Sequence, residues 1–169
     1  MQYFDKTHKL AEFAKTLLDK KSLESGLPHI AKYAKEVMNA ERCSIFIYDQ
    51  DDNMLWTTLA DGVEKITIPA DKGIVGHTLS AKKPIITNEP YKHPEFLGDV
   101  DEETGFKTHN IITAPIFSSK REIIGIMELL NKPEDFNSED MRFMIFFAHY
   151  VSGFLEYLKR LDQHEKYYA

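Results

Sequence analysis

Two short stretches carry the residues whose types and spacing could do chemistry. The first is Gly73-Ile74-Val75-Gly76-His77, and the second is Thr104-Gly105-Phe106-Lys107-Thr108. A GxxG pattern at a helix start leaves backbone N–H groups free beside small residues, a geometry that suits a phosphate. Thr104 and Thr108 put two hydroxyls on one segment around Gly105; such groups suit closing over an anion and equally suit capping a short helix. Residues 88 to 108 form a long polar connection containing Pro90, Pro94, Gly98 and Gly105. Long connections inside compact domains are uncommon and usually functional. A strand ending in Glu128 follows, then Asn131-Lys132. The stretch from Gly73 to Leu130 therefore reads as a lidded pocket for a small anionic ligand.

Catalysis has less support. A nucleophile needs a base within reach, and no sequence signature supplies one. Cys43 lies inside an apolar strand and reads as a core residue. The seven histidines are scattered without ligand spacing, and the acidic run Asp99, Asp101, Glu102 and Glu103 lacks the calcium-loop pattern. The expectation is no catalytic residue, no metal and no required cofactor.

These residues must be positioned by one domain. The chain has 169 residues, 43% of them hydrophobic and 12% aromatic, so it has enough apolar material for one sizeable core. A net charge of -6 without a long basic run argues against nucleic acid. One cysteine excludes disulfide frameworks and paired-cysteine redox or zinc sites, and fits a reducing compartment. The N-terminus lacks a secretory pattern and no apolar run reaches membrane-spanning length, so a cytoplasmic domain is expected.

Periodicity predicts an amphipathic helix over 3–20 and a second over 26–39, with Pro28 in its first turn. Strands follow at 42–48, 54–60 and 63–68 as an antiparallel meander, the first apolar on both faces. A short helix over 73–82 starts on glycines, and a short strand covers 85–87. A second hairpin covers 110–117 and 122–130, and Ser138 opens a last helix running to about 166. From Met141 to Val151 that helix is apolar almost all round, which predicts burial. Beyond it, Val151, Phe154, Leu155, Leu158 and Leu161 leave a narrow stripe that suits a dimer or an onward linker. The chain finishes within or just after this helix, which is also how a piece of a longer protein would end.

From Ile68 to Pro115 the text resembles the regulatory GAF domains of cyclic-nucleotide phosphodiesterases and some bacterial adenylyl cyclases. The matching pieces are Ile68 through His77, His93-Pro94-Glu95-Phe96, Asp101, Thr104 through Thr108, Asn110-Ile111-Ile112 and Pro115-Ile116. The resemblance spans roughly residues 22 to 160. The family's scattered Asn-Lys-Phe-Asp-Glu signature is present as Asn131, Lys132, Phe136 and Asp140, with Met141 in the last place.

The resemblance implies an α/β (α+β) fold, GAF/PAS-like: a six-stranded antiparallel sheet with helices on both faces. The organisation would be an N-terminal helix over 1–20 and a GAF domain over 21–160, its last helix continuing to 169. Dimer-forming helices would lie on one face and a nucleotide pocket on the other, with a homodimer through the N- and C-terminal helices. Carried over by position, Ser44 and Asp61 would face a purine, and Ile74 and Val75 would offer N–H groups to a cyclic phosphate. Leu97, Thr104 and Thr108 would belong to the lid, with Glu128 on the pocket floor. Lys132 and Asp140 would pair structurally. Ala60 departs from the family pattern, standing where binding members often place an aromatic on the base. Leu97 also departs, standing where a polar or aromatic residue is common.

The functional expectation is a regulatory sensor, not an enzyme, taking cAMP or cGMP under the lid and signalling through the last helix. The alternatives are a ligand-independent dimerisation module and a GAF domain for another small ligand. Free methionine sulfoxide reductases share the fold implied, but depend on several cysteines.

Overall fold

The computed structural model describes residues 2–58, 64–98 and 105–168. Six antiparallel strands form one sheet in the order β3-β2-β1-β6-β5-β4. They are β1 (Arg42–Asp49), β2 (Met54–Thr58), β3 (Lys65–Pro69), β4 (Ile85–Thr87), β5 (Ile111–Phe117) and β6 (Ile123–Leu130). The helices are α1 (Gln2–Leu17), α2 (Leu23–Met38), α3 (Gly73–Ala81) and α4 (Ser138–Tyr168). No helix among the described residues is long and apolar enough to cross a membrane.

Strand alternation divides the sheet into two faces. Across β5, β6 and β1, Ile112, Leu129 and Cys43 stand in one row, and Ala114, Met127 and Ile45 in the next. These rows face α1, α2 and α4 and join the large core with Phe13, Leu27, Ile30, Phe147 and Leu155. The opposite face holds a smaller core of Phe46, Leu55, Ala70, Val75 and Ile126, covered by α3. Both faces of β1 are thus used, as its apolar composition requires.

Helix α2 begins earlier than the apolar stripe predicts. Ser22 caps it by accepting a hydrogen bond from the Ser25 amide at 3.2 Å. Pro28 consequently lies inside the helix and not in its first turn. A proline has no N–H, so the carbonyl four residues back loses its helical partner. That carbonyl belongs to Glu24, and the Thr58 hydroxyl donates to it at 3.0 Å. The terminal helix α1 is part of the body: Phe13 stacks on Tyr33 at 4.3 Å and contacts Phe147.

Helix α4 departs furthest from expectation. Its first half is not buried all round, since Ile145, Phe146 and Tyr150 are exposed. The stripe beyond is not free for a partner, because Val151, Leu155 and Leu158 are buried in the chain's own core. The reason is lateral placement: α4 covers β5 and packs beside α2, so one stripe faces inward along its whole packed length. Hairpin turns grip it as well. The Ser119 amide and hydroxyl donate to the Glu156 carboxylate, and Lys159 donates to the Tyr48 carbonyl.

Candidate ligand site

The α3 face of the sheet carries a polar row at its centre. Thr113, Glu128 and Ser44 stand directly opposite one another across β5, β6 and β1. Thr113 is satisfied, its hydroxyl lying 2.6 Å from that of Thr78 on α3, which donates to the Ile74 carbonyl at 2.8 Å. Glu128 has no hydrogen-bond partner among the described residues. Burial pushes its carboxyl up to about 7, because an ionised carboxylate here gives up hydration and gains no cation.

Helix α3 roofs this row. Its first-turn amides have no intrahelical partner, and Lys72 supplies no side-chain cap. Gly73 sits at φ +70°, in the left-handed region that favours glycine. The Leu97 side chain lies against it, 3.5 Å from where a β-carbon would stand. The second glycine of the motif has a different cause. A β-carbon on Gly76 would lie 2.7 Å from the Ala70 carbonyl oxygen, so Gly76 is set by packing of α3 on its own preceding loop.

The lid segment is held at both ends. At its start, Asn88 bonds both backbone groups of Phe136, and the His93 ring meets His77 of α3 edge-on at 5.7 Å. At its end, the Arg42 guanidinium sits 3.6 Å over the Phe106 ring. The Asn131 side chain then clamps either side of Thr108. It donates to the Lys107 carbonyl at 2.8 Å, accepts from the His109 amide at 2.6 Å, and donates to Glu41 at 3.0 Å. Asn110 ties the same corner to the backbone of Lys132 and Glu134. Lys132 in turn pairs with Asp140 at 2.9 Å, largely out of water. A continuous set of bonds therefore runs from the lid's end to the first turn of α4.

A family model for the GAF domain matches residues 22–154. The chain belongs to the GAF domain family. Among solved structures it is similar to the GAF domain of an Acinetobacter phosphoenolpyruvate-protein phosphotransferase. That match has a TM-score of 0.75 at 16% identity, covering 93% of this chain and 96% of the other. The corresponding domain from Coxiella burnetii gives 0.71 at 20% identity over 85% and 88%. A free methionine-R-sulfoxide reductase from Neisseria meningitidis, in complex with its substrate, gives 0.70 at 15% identity over 92% and 89%. At these identities the likeness shows the fold.

In this GAF domain Ser44 and Glu128 face α3, Ile74 and Val75 lie on α3 itself with Leu97 against its start, and Thr108 is buried between the two backbone groups that Asn131 clamps. Asp61 and Thr104 lie outside the described residues, as do Ala60 and Asp101. Asn131, Lys132, Phe136 and Asp140 form the corner behind the lid, with Phe136 buried. The Lys132–Asp140 pair stands as expected. Asn88, Asn110, Arg42 and Phe106 are the lid anchors that sequence reasoning missed. Phe106 and Asn110 carried a signal, both standing inside the resembling pieces.

Two cavities lie to either side. One of about 630 Å³ opens at the corner of Glu41, His109, Asn131 and Lys132. Another of about 380 Å³ lies outside α3, beside Tyr48, Asp71, His77 and Glu95.

Proposed function

We propose that this GAF domain is a regulatory sensor that binds a cyclic purine nucleotide between α3 and the sheet. The observation that carries the reading is the unpartnered Glu128 beside Ser44, beneath a helix start whose amides are uncapped. In this reading the Ile74 and Val75 amides take the cyclic phosphate, and Ser44 and Asp61 take the purine. Leu97, Thr104 and Thr108 close the lid over a floor that includes Glu128. Regulation is favoured over catalysis by Cys43. Its row faces α2 and α4, away from the site, and burial pushes the thiol well up from its ordinary range, so no thiolate forms. A cytoplasmic setting accords with that single reduced thiol.

Ligand would order the lid, and the Asn131, Lys132 and Asp140 contacts would carry the change to α4. A coupling of about 1–3 kcal/mol is typical and sufficient for regulation. Calorimetry with cAMP and cGMP, on protein refolded to remove ligand, tests the reading. Heat on binding is expected; no heat and no thermal shift at millimolar nucleotide overturns it. Thr108→Ala should weaken binding, and unchanged affinity contradicts the lid role. Glu128 also favours a second reading, a ligand bearing an amino group, since a carboxyl without a cation is suited to one. Titration with free amino acids separates the two.

A further inference from the structure

We propose that the cavity flanking α3 is a second ligand site, taking a short aliphatic diamine, and that its occupant holds the start of the lid against α3. The cavity measures about 380 Å³, a size that suits a small molecule. Separate parts of the chain wall it. Tyr48 comes from the β1–β2 hairpin, Ala70 and Asp71 from the loop before α3, His77 from α3 itself and Glu95 from the lid.

The polar groups of this cavity mostly accept hydrogen bonds. The Tyr48 hydroxyl already donates to the Asn53 side chain at 3.0 Å, and the Ser80 hydroxyl to the His77 carbonyl at 3.1 Å. The Asp71 and Glu95 carboxylates on the rim make no ion pair or hydrogen bond with a described residue. The Ala70 carbonyl receives no backbone hydrogen bond from a described residue, although Ala70 is only 3% exposed. No lysine or arginine among the described residues lines the cavity. An ammonium, with three donors and no acceptor, is the complement of such a set. The Tyr48 ring adds an aromatic surface that attracts a cation. Two carboxylates on different walls match two ammonium groups joined by a short apolar stem. The larger cavity at the Asn131 corner differs, because it already contains a cation: Lys132 lies there, paired with Asp140.

Glu95 connects this cavity to the lid. Its amide donates to Nδ1 of His93 at 3.1 Å, and the His93 ring meets that of His77 edge-on. A diamine bound to Glu95 and to the loop before α3 therefore ties together the two segments that must part when the lid start opens. This tie is separate from the Asn131 clamp at the lid's other end.

Calorimetry with 1,4-diaminobutane at about pH 8, where histidine is neutral, tests the site without nucleotide. Saturable heat is expected, and none from 1,4-butanediol, which has the same length and no charge. Asp71→Asn and Glu95→Gln should each raise the dissociation constant about tenfold. Asp52→Asn, which removes an exposed carboxylate on the neighbouring hairpin turn, should leave it unchanged. Each variant replaces an exposed side chain, so all should fold as the parent does. Bound diamine should also slow amide hydrogen exchange at Glu95. No saturable heat at millimolar diamine, or equal binding of the diol, overturns the site. So does a loss with Asp52→Asn as large as with Asp71→Asn, which would mean diffuse attraction to a chain of net charge -6. Unchanged exchange at Glu95 in the diamine-bound protein overturns the hold on the lid. No step uses cAMP or cGMP, so failure here is distinct from failure of the nucleotide reading.

Discussion

Thr58 and Glu128 are both polar groups set into the sheet, on opposite faces, and their surroundings differ in kind. Thr58 is buried under α2, and the chain supplies its partner: the Glu24 carbonyl left over by Pro28. Ser152, also on the helix side, donates to the His149 carbonyl. Glu128 faces α3 with no partner among the described residues and a carboxyl held near neutrality. A buried polar group costs stability until something satisfies it. The helix face is therefore finished by the chain alone, whereas on the α3 face the half-buried Glu128 carboxyl is left unpaired by the described residues, where an outside molecule can meet it. Stability should be concentrated on the first face and responsiveness on the second.

The largest test of that division is Phe147→Ala. Phe147 is fully buried between Phe13, Tyr33 and Phe143. Removing such a ring costs about 3–5 kcal/mol, measured by denaturant unfolding. Ligand affinity, measured where the variant is still folded, should change little. A large loss of affinity would mean that the faces are not separable.

Glu128→Gln comes next and acts in the opposite direction. The folded carboxyl titrates near 7, above its ordinary 4.5, so between those values the folded state holds a proton that the unfolded chain has released. Stability therefore falls as pH rises through this window and is lowest above about 7. The full shift corresponds to about 3 kcal/mol. Glutamine cannot ionise, so the variant should be more stable than the parent by up to about that much at pH 8 and nearly equal to it at pH 4.5. Equal stabilities at pH 8 would show that the carboxylate is already satisfied.

Asn131→Ala should cost about 2 kcal/mol, since three side-chain bonds are lost at a mostly buried site. Asn131 also sits at φ +61°, so Asn131→Gly, which tolerates that conformation, isolates the bonds from the backbone strain. Both variants should speed amide hydrogen exchange at His109, whose N–H loses its acceptor. Protection unchanged at His109 would remove Asn131 from the path between lid and α4.

The sequence disclosed these two faces unevenly. Strand alternation in Arg42–Asp49, glycine and proline punctuation, and the stripes of α1 and α2 reveal the elements, because each follows from periods of two and 3.6 residues. What stayed hidden joins residues far apart in the chain: Asn88 to Phe136, Asn131 to His109, Arg42 to Phe106. An asparagine that clamps a loop looks like any other turn asparagine. Helix α4 misled for another reason. Apolar content all round predicts burial within one chain, but it equally describes a helix with one face on its own core and another facing outward.

The smallest expected effect checks whether the helix face is as self-contained as Thr58 implies. Thr58→Val should cost about 1 kcal/mol, because the Glu24 carbonyl loses the hydroxyl that satisfies it while little volume changes. Pro28→Ala restores a backbone N–H at position 28, which can reach the same carbonyl as an ordinary helical bond. In that background Thr58→Val should cost less, and the double-mutant cycle should show a coupling of about half a kcal/mol or more. Additive costs would mean that the Thr58 hydroxyl and Pro28 are unrelated. The helix face would then contain a polar intrusion with no cause in its own sequence, and the contrast with Glu128 would lose its sharper half.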